Sequence, residues 1–237
     1  MKHKKLKITA LILAAVLLVC CAGIGIYAAD YYRMDNTAAA AMAGIDTSDN
    51  LAVFGPNNAE IGFIFYPGGK VEYTAYAPLM RALAEQGILC VIPKMPLNLA
   101  VLDMDAAEDI LKLYPEIDTW YIGGHSLGGS MAASCAAESD AFRGLILLAS
   151  YSTADLTESH LNVLSIYGSE DGVLNPEKYE ESRSNLPEHT VEYIIQGGNH
   201  AQFGSYGEQE GDGFASISPE KQVELTVKAI TEWIAAA

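Results

Sequence analysis

Short blocks of apolar residues alternate along the chain with blocks of helical periodicity. Residues 61–66 form a continuous apolar run, which is typical of a strand buried on both faces. Further strands are predicted at 88–92, 119–122, 145–148, 163–167 and 191–195. Helical repeats lie between them, beginning with Tyr76, Leu79, Met80 and Leu83, and the last helix is predicted to begin at Ser218-Pro219. This alternation predicts one α/β domain over residues 51–237, with a mostly parallel sheet covered on both faces.

The first 50 residues have a different pattern from the predicted domain. Four lysines precede an uncharged run over residues 8–29, which is long enough to cross a bilayer as a helix. We therefore expect a membrane anchor over residues 1–29 with the domain on the extracytoplasmic side, and a cleaved signal peptide that releases the domain is the alternative. Residues 30–50 are polar and alanine-rich, and we predict that they form a stalk without a core of its own.

The charge balance excludes one class of partner. All 30 acidic residues lie beyond residue 29, together with only 10 of the 14 lysines and arginines. So acidic a surface repels nucleic acid, and we expect none as a partner. The sequence has no metal-binding spacing and no dinucleotide or phosphate loop, so we predict neither a metal nor a cofactor. The spacing of its four cysteines does not indicate a disulfide framework.

One pentapeptide carries the strongest chemical signal. Gly124-His125-Ser126-Leu127-Gly128 follows a predicted strand and precedes a run of small residues with helical character. This is the G-x-S-x-G pattern of a nucleophile elbow, a tight strand-to-helix turn that exposes a serine hydroxyl. We predict that Ser126 is a nucleophile.

A serine nucleophile needs a base and a carboxylate that orients the base. Asp171 and His200 each follow a later predicted strand, in the chain order serine, acid, histidine that this fold plan uses. We predict the triad Ser126, Asp171 and His200. Asp155 and Glu170 remain alternative acids, whereas His160 and His189 precede strands and are predicted to be solvated.

Two backbone N–H groups are expected to stabilise the negative charge that develops on the substrate carbonyl oxygen. Leu127, directly after the nucleophile, supplies the first. Gly69 or Lys70, in the glycine-containing loop after residues 61–66, supplies the second. For the substrate pocket we predict contributions from Tyr66, His125, Gln202 and Tyr206.

The chain resembles the α/β-hydrolase superfamily over nearly all of residues 51–237. Segments 66–71, 123–129 and 198–204 are similar to a bacterial branch related to the dienelactone-hydrolase-like group. The resemblance implies a sheet of about eight strands, the same triad, and hydrolysis of esters or related acyl compounds without a cofactor. Dienelactone hydrolases use a cysteine nucleophile, so their substrate is not implied for a chain with Ser126.

The segment between Leu148 and Leu161 is too short for the helical lid of lipases, which favours small or soluble acyl substrates. Acyl transfer, amide cleavage and an inactive binding module remain alternatives to ester hydrolysis. The natural substrate and the oligomeric state stay open.

Overall fold

A seven-stranded sheet organises the part of the chain that the structure describes. The structure is a computed structural model that describes residues 13, 15–20, 22–23, 25, 27–47, 49–56 and 58–236. Its strands are Leu51–Phe54 (β1), Ile61–Tyr66 (β2), Leu89–Pro93 (β3), Thr119–His125 (β4), Phe142–Leu148 (β5), Asn162–Gly168 (β6) and Val191–Ile195 (β7). They lie in the order β1-β3-β2-β4-β5-β6-β7, and all neighbours are parallel except β1, which pairs antiparallel with β3.

Helices cover both faces of this sheet. They are Asn36–Ala41 (α1), Ala77–Ala84 (α2), Ala106–Leu113 (α3), Leu127–Ala137 (α4), Pro176–Ser182 (α5) and Pro219–Ala236 (α6). The core on one face contains Leu79 and Met80 of α2 with Ile230 of α6. The core on the other face contains Ile110 of α3 and Ala133 of α4. The predicted α/β architecture is confirmed.

The number of strands differs slightly from the implied eight, because the described residues form seven. β1 is missing from the sequence-based prediction, since four residues at the edge of a sheet give too short a pattern to recognise. No helix lies between the end of β5 and the start of β6, over residues 149–161. The absence of a lid in this connection is therefore confirmed.

Most of the predicted stalk packs against the domain. The described chain divides into the units Met1–Tyr31 and Tyr32–Ala237, so the segment from Tyr32 onward belongs to the domain. Asp35 caps α1 by accepting the N–H of Ala38, whose side chain is fully buried. Arg81 of α2 donates to the carbonyl oxygen of Ala41 at 2.7 Å. Helix α1 is thus held on α2. A hydrophobicity pattern does not reveal this packing, because the helix consists mainly of alanines, whose side chains are short.

The predicted membrane anchor falls partly outside the described residues, which omit 1–12, 14, 21, 24 and 26. The described residues between Leu13 and Ala29 are helical. Among the described residues, no helix is both long enough and apolar enough to span a bilayer.

Replacing Ala38 by leucine tests whether residues 32–50 are part of the folded domain. Extra methyl groups at a fully buried position force neighbours apart, so we expect Ala38→Leu to lower the free energy of unfolding by about 1–3 kcal/mol. The matched control is Ala39→Leu, at the exposed next position, expected to change it by less than about 0.5 kcal/mol. Urea denaturation measures both, and equal stabilities would mean that the segment is a free stalk.

Candidate active site

The predicted elbow is present at the end of β4. Ser126 lies between β4 and α4 with φ 54° and ψ −123°, a conformation that costs a non-glycine residue about 1–3 kcal/mol. The turn also brings strand and helix together, because a Cβ on Gly124 would lie 2.6 Å from the carbonyl carbon of Gly128. A Cβ on Gly128 would run into the carbonyl oxygen of Pro67. The glycines of the motif are therefore required by close packing.

Two hydrogen bonds hold the strained serine backbone. The N–H of Ser126 donates to the carbonyl oxygen of Leu148 at the end of β5, at 3.0 Å. The hydroxyl of Ser150 donates to the carbonyl oxygen of Ser126 at 2.6 Å. Sequence reasoning missed Ser150, although its position just after a strand next to β4 was a usable signal.

The predicted acid and base meet at the same edge of the sheet. Asp171 follows β6 and His200 follows β7, and His200 Nδ1 lies 2.9 Å from Asp171 Oδ2. Their side chains are 3% and 1% exposed, so the pair is shielded from water. Asp171 Oδ1 accepts the N–H groups of Val173 and Leu174 at 2.9 and 2.7 Å, which fixes the carboxylate toward the imidazole.

Ser126 and His200 line one cavity of about 230 Å³. His200 Nε2 is buried and has no hydrogen-bond partner among the described residues, so the serine hydroxyl does not bond to it in this structure. The nitrogen is therefore available as an acceptor. The rest of the cavity wall consists of Leu127, Ser130, Ala149, Ser150, Tyr151, Val173, Leu174 and Asn175.

Two of the backbone N–H groups predicted for the oxyanion hole have no acceptor among the described residues. They are those of Leu127, at the first turn of α4, and of Gly69. The two residues are in contact, because a Cβ on Gly69 would lie 3.0 Å from Leu127 Cδ2. Lys70 is excluded as the donor, because its N–H already donates to the carbonyl oxygen of Asn98 at 2.8 Å.

A second buried histidine lies against the first. The rings of His125 and His200 have centroids 4.4 Å apart. Tyr76 accepts the N–H of Gly68, and its hydroxyl oxygen lies 2.8 Å from His125 Nδ1, within hydrogen-bond distance. Burial and the neighbouring His200 hold the pKa of His125 well below its ordinary value. Sequence reasoning missed Tyr76 because its position in a helical repeat suggested only a core role.

With this geometry in place, comparison with known proteins decides the family. A model of the alpha/beta hydrolase family matches residues 62–224. The chain belongs to this family. No curated protein matches the sequence at a significant level.

Solved hydrolase structures share the fold at low sequence identity. MGS-MChE2, an alpha/beta hydrolase enzyme from the metagenome of lagoon sediments of Mar Chica, Morocco, has a TM-score of 0.60 and 16% identity, covering 79% of this chain and 98% of its own. Est1E from Butyrivibrio proteoclasticus has a TM-score of 0.57 and 16% identity, covering 81% and 96%. XC6422 from Xanthomonas campestris, described as a serine hydrolase without lid, has a TM-score of 0.55 and 15% identity, covering 77% and 88%.

The four residues predicted to form the pocket of this hydrolase lie elsewhere. Tyr66 is fully buried, and its hydroxyl donates to Met104 and accepts the N–H of Ala107. His125 is 1% exposed and packs behind His200.

The other two of the four lie on the segment that begins at His200. Tyr206 is buried and bonds to Gln209. Gln202 donates to the carbonyl oxygen of Ile217. None of the four lines the cavity of Ser126 and His200. Their side chains contact other parts of the domain instead.

The alternative catalytic residues are not part of the site. Asp155 is exposed and accepts two hydrogen bonds from Thr157 in its own loop. Glu170 is exposed and bonds to the neighbouring Ser169. His160 and His189 are exposed, as predicted.

Two further features of the described domain bear on what a second site would require. A larger cavity of about 570 Å³ lies beside β1 and contains Asp46 and Asp49, but no histidine, cysteine or serine among the described residues that line it. Within the described part of the chain, no group of three or more side chains is arranged to hold a metal ion.

The lowered pKa of His125 predicts a specific loss of stability in acid. Below about pH 6.5 the unfolded chain protonates this histidine while the folded protein does not, so folding stability falls as the pH falls. Between pH 6 and 5 the parent should therefore lose up to about 1.4 kcal/mol per pH unit more than His125→Gln.

Urea denaturation across this pH range measures the two slopes. The exposed His189→Gln is the matched control and should keep the slope of the parent, because its side chain is hydrated in both states. Parallel curves for the parent and His125→Gln would contradict the assignment of a buried neutral His125.

Proposed function

We propose that this protein is a serine hydrolase that cleaves carboxylic esters, or related acyl bonds, of small or soluble substrates through an acyl-enzyme. The observation that carries the proposal is the buried pair of His200 and Asp171, 2.9 Å apart. Nε2 of His200 has no hydrogen-bond partner among the described residues, and His200 lines the same cavity as Ser126. Family membership and the fold support hydrolysis in general, and this arrangement favours the serine mechanism.

Proton transfer follows from the hydrogen bonds of His200. Because Asp171 accepts a hydrogen bond from Nδ1, the lone pair of His200 is on Nε2, the nitrogen without a partner. The hydroxyl of Ser126 reaches it by rotation about its Cα–Cβ bond when substrate binds. His200 then takes the hydroxyl proton as Ser126 Oγ bonds to the substrate carbonyl carbon, and Asp171 stabilises the resulting imidazolium.

The N–H groups of Leu127 and Gly69 are the proposed oxyanion hole. Neither N–H has an acceptor among the described residues, and Gly69 lies beside Leu127, the residue after Ser126, so both are proposed to donate to the oxygen that becomes negative in the tetrahedral intermediate. Each such donor contributes about 3–4 kcal/mol to the transition state. The fixed bond from Lys70 to Asn98 holds the loop of Gly69 in place before substrate arrives.

The same groups carry out the release of the alcohol and the hydrolysis of the acyl-enzyme. His200 gives its proton to the leaving alcohol, and the acyl group stays on Ser126. A water molecule then attacks the acyl carbon while His200 takes a proton from it. His200 gives that proton to Ser126 Oγ as the bond between Oγ and the acyl carbon breaks, which releases the acid and restores the serine and the neutral imidazole. A cavity of about 230 Å³ beside the serine suits a short acyl group, and no helix covers it in the connection after β5.

Labelling with a fluorescent fluorophosphonate tests the proposed nucleophile. The full-length protein should label covalently, and Ser126→Ala should not label and should lose ester hydrolysis by about 10⁴-fold or more. The matched control is Ser134→Ala on α4, the helix that follows Ser126, because the Ser134 hydroxyl donates to the carbonyl oxygen of Ser130. It should label like the parent.

A series of substrates separates the alternative functions. Faster turnover of p-nitrophenyl esters than of the matched anilides supports an esterase, and the reverse order an amidase. Acceleration by added alcohols with formation of the new ester supports acyl transfer. A folded parent that neither labels nor turns over any of them would instead favour a binding module on an inactive scaffold.

We also propose, from the sequence alone, that residues 1–29 attach the enzyme to a membrane. Their lysines and uncharged run support the idea. The full chain expressed in a bacterial host should remain in the membrane pellet after an alkaline carbonate wash. Replacing Leu17 and Leu18 by aspartate should move it to the supernatant, whereas recovery of the parent in the supernatant would contradict retention of an anchor.

A further inference from the structure

Asp212 makes an unusual set of hydrogen bonds behind the catalytic pair. Its Oδ1 accepts the N–H groups of Gly172, His200 and Gly213 at 3.0, 3.2 and 2.8 Å. Its Oδ2 accepts the N–H of Ala201 at 2.8 Å. One carboxylate thus receives four backbone donors from three places in the chain.

Three of these donors, Gly172, His200 and Ala201, belong to the two loops that carry the acid and the base. The acid loop, residues 169–175, contains Asp171 and Gly172, and the histidine loop, residues 196–206, begins after β7 and contains His200 and Ala201. Asp212 therefore bonds to the residue after the acid and to the base itself. The approach is tight, because a Cβ on Gly172 would lie 2.6 Å from the carbonyl oxygen of Gly211.

We propose that Asp212 is a positioning residue that sets the distance between the acid loop and the histidine loop, and so keeps the imidazole of His200 against the carboxylate of Asp171. The proposal rests on the serine-hydrolase function proposed above. Asp212 acts on the backbone, whereas Asp171 acts on the ring, so the two carboxylates have separate tasks.

Other hydrogen bonds join the same two loops closer to the strands from which the loops emerge. The N–H of Glu170 donates to the carbonyl oxygen of Gly198 at 2.8 Å, and the N–H of Gly197 donates to the hydroxyl of Ser169 at 2.8 Å. Gln222 of α6 holds Asn199 by two hydrogen bonds. These bonds fix where the loops leave the sheet, while Asp212 connects them at the level of the reacting side chains.

The chemistry of the carboxylate explains why no other side chain serves equally well. Four N–H donors need two oxygens that both accept and never donate, which only an ionised Asp or Glu provides. An asparagine retains one accepting oxygen, and its NH₂ group would face a backbone N–H. We therefore expect Asp212→Asn to be impaired and Asp212→Ala to be impaired more.

The expected loss is in the chemical step. Misplacement of a catalytic group by about 1 Å can lower a rate about 100-fold. For Asp212→Ala we expect kcat to fall about 10- to 100-fold with KM changed less than about threefold, and for Asp212→Asn a smaller loss. Asp155→Ala is the matched control, because Asp155 also accepts hydrogen bonds from a loop but only within its own turn. It should keep the kcat of the parent.

A signal that does not depend on turnover separates positioning from general stability. In the full-length protein labelled with ¹⁵N-histidine, the proton between His200 Nδ1 and Asp171 should give a low-field NMR resonance, identified by its absence in His200→Gln. In Asp212→Ala this proton should exchange with water at least tenfold faster, while circular dichroism and thermal unfolding show a folded domain. If Asp212→Ala does not fold, the same comparison is made with Asp212→Asn.

The outcomes distinguish this proposal from the proposed function. A folded variant that keeps both the resonance and the kcat of the parent would overturn the role of Asp212. A parent that hydrolyses no acyl substrate, but whose resonance is lost in Asp212→Ala, would overturn the hydrolase function and leave the positioning role intact. Loss of kcat with the resonance unchanged would overturn positioning as the cause.

Discussion

The backbone of Ser126 is the constraint on which the candidate site depends. A serine backbone with a positive φ angle is unfavourable by about 1–3 kcal/mol and persists only where its surroundings enforce it. Here β4 is hydrogen-bonded to strands on both sides, and α4 begins at the next residue. The sheet therefore decides where the hydroxyl lies. The loops after β6 and β7 then place Asp171 and His200 near a serine whose position the sheet has already determined.

Two buried histidines lie in contact, and their surroundings differ. His200 donates from Nδ1 to the carboxylate of Asp171. His125 lies beside the hydroxyl of Tyr76, and burial and the neighbouring His200 hold its pKa well below the ordinary value. In the proposed mechanism His200 becomes an imidazolium, which a charged His125 would oppose. The lowered pKa of His125 therefore supports the proposed role of His200 as the base.

The sequence was sufficient to predict that Ser126, Asp171 and His200 lie together. Each of them follows a strand, and parallel strands end at one edge of a sheet. The pocket could not be predicted in the same way, because the orientation of Tyr66 or Tyr206 depends on packing between distant segments. Helix α1 was missed because alanines give no periodic signal, and Asp212 because a loop aspartate in an acidic chain looks like surface.

The distribution of charge also bears on the substrate. Asp171 and Asp212 both lie beside His200, and the chain beyond residue 29 carries three times as many acidic as basic residues. Negative charge near the imidazole stabilises the cation formed in the transition state. The same charge opposes an anionic acyl group in the cavity, whose described lining residues include no lysine or arginine. For the proposed hydrolase, an arrangement that favours the imidazolium therefore also favours neutral acyl substrates over anionic ones.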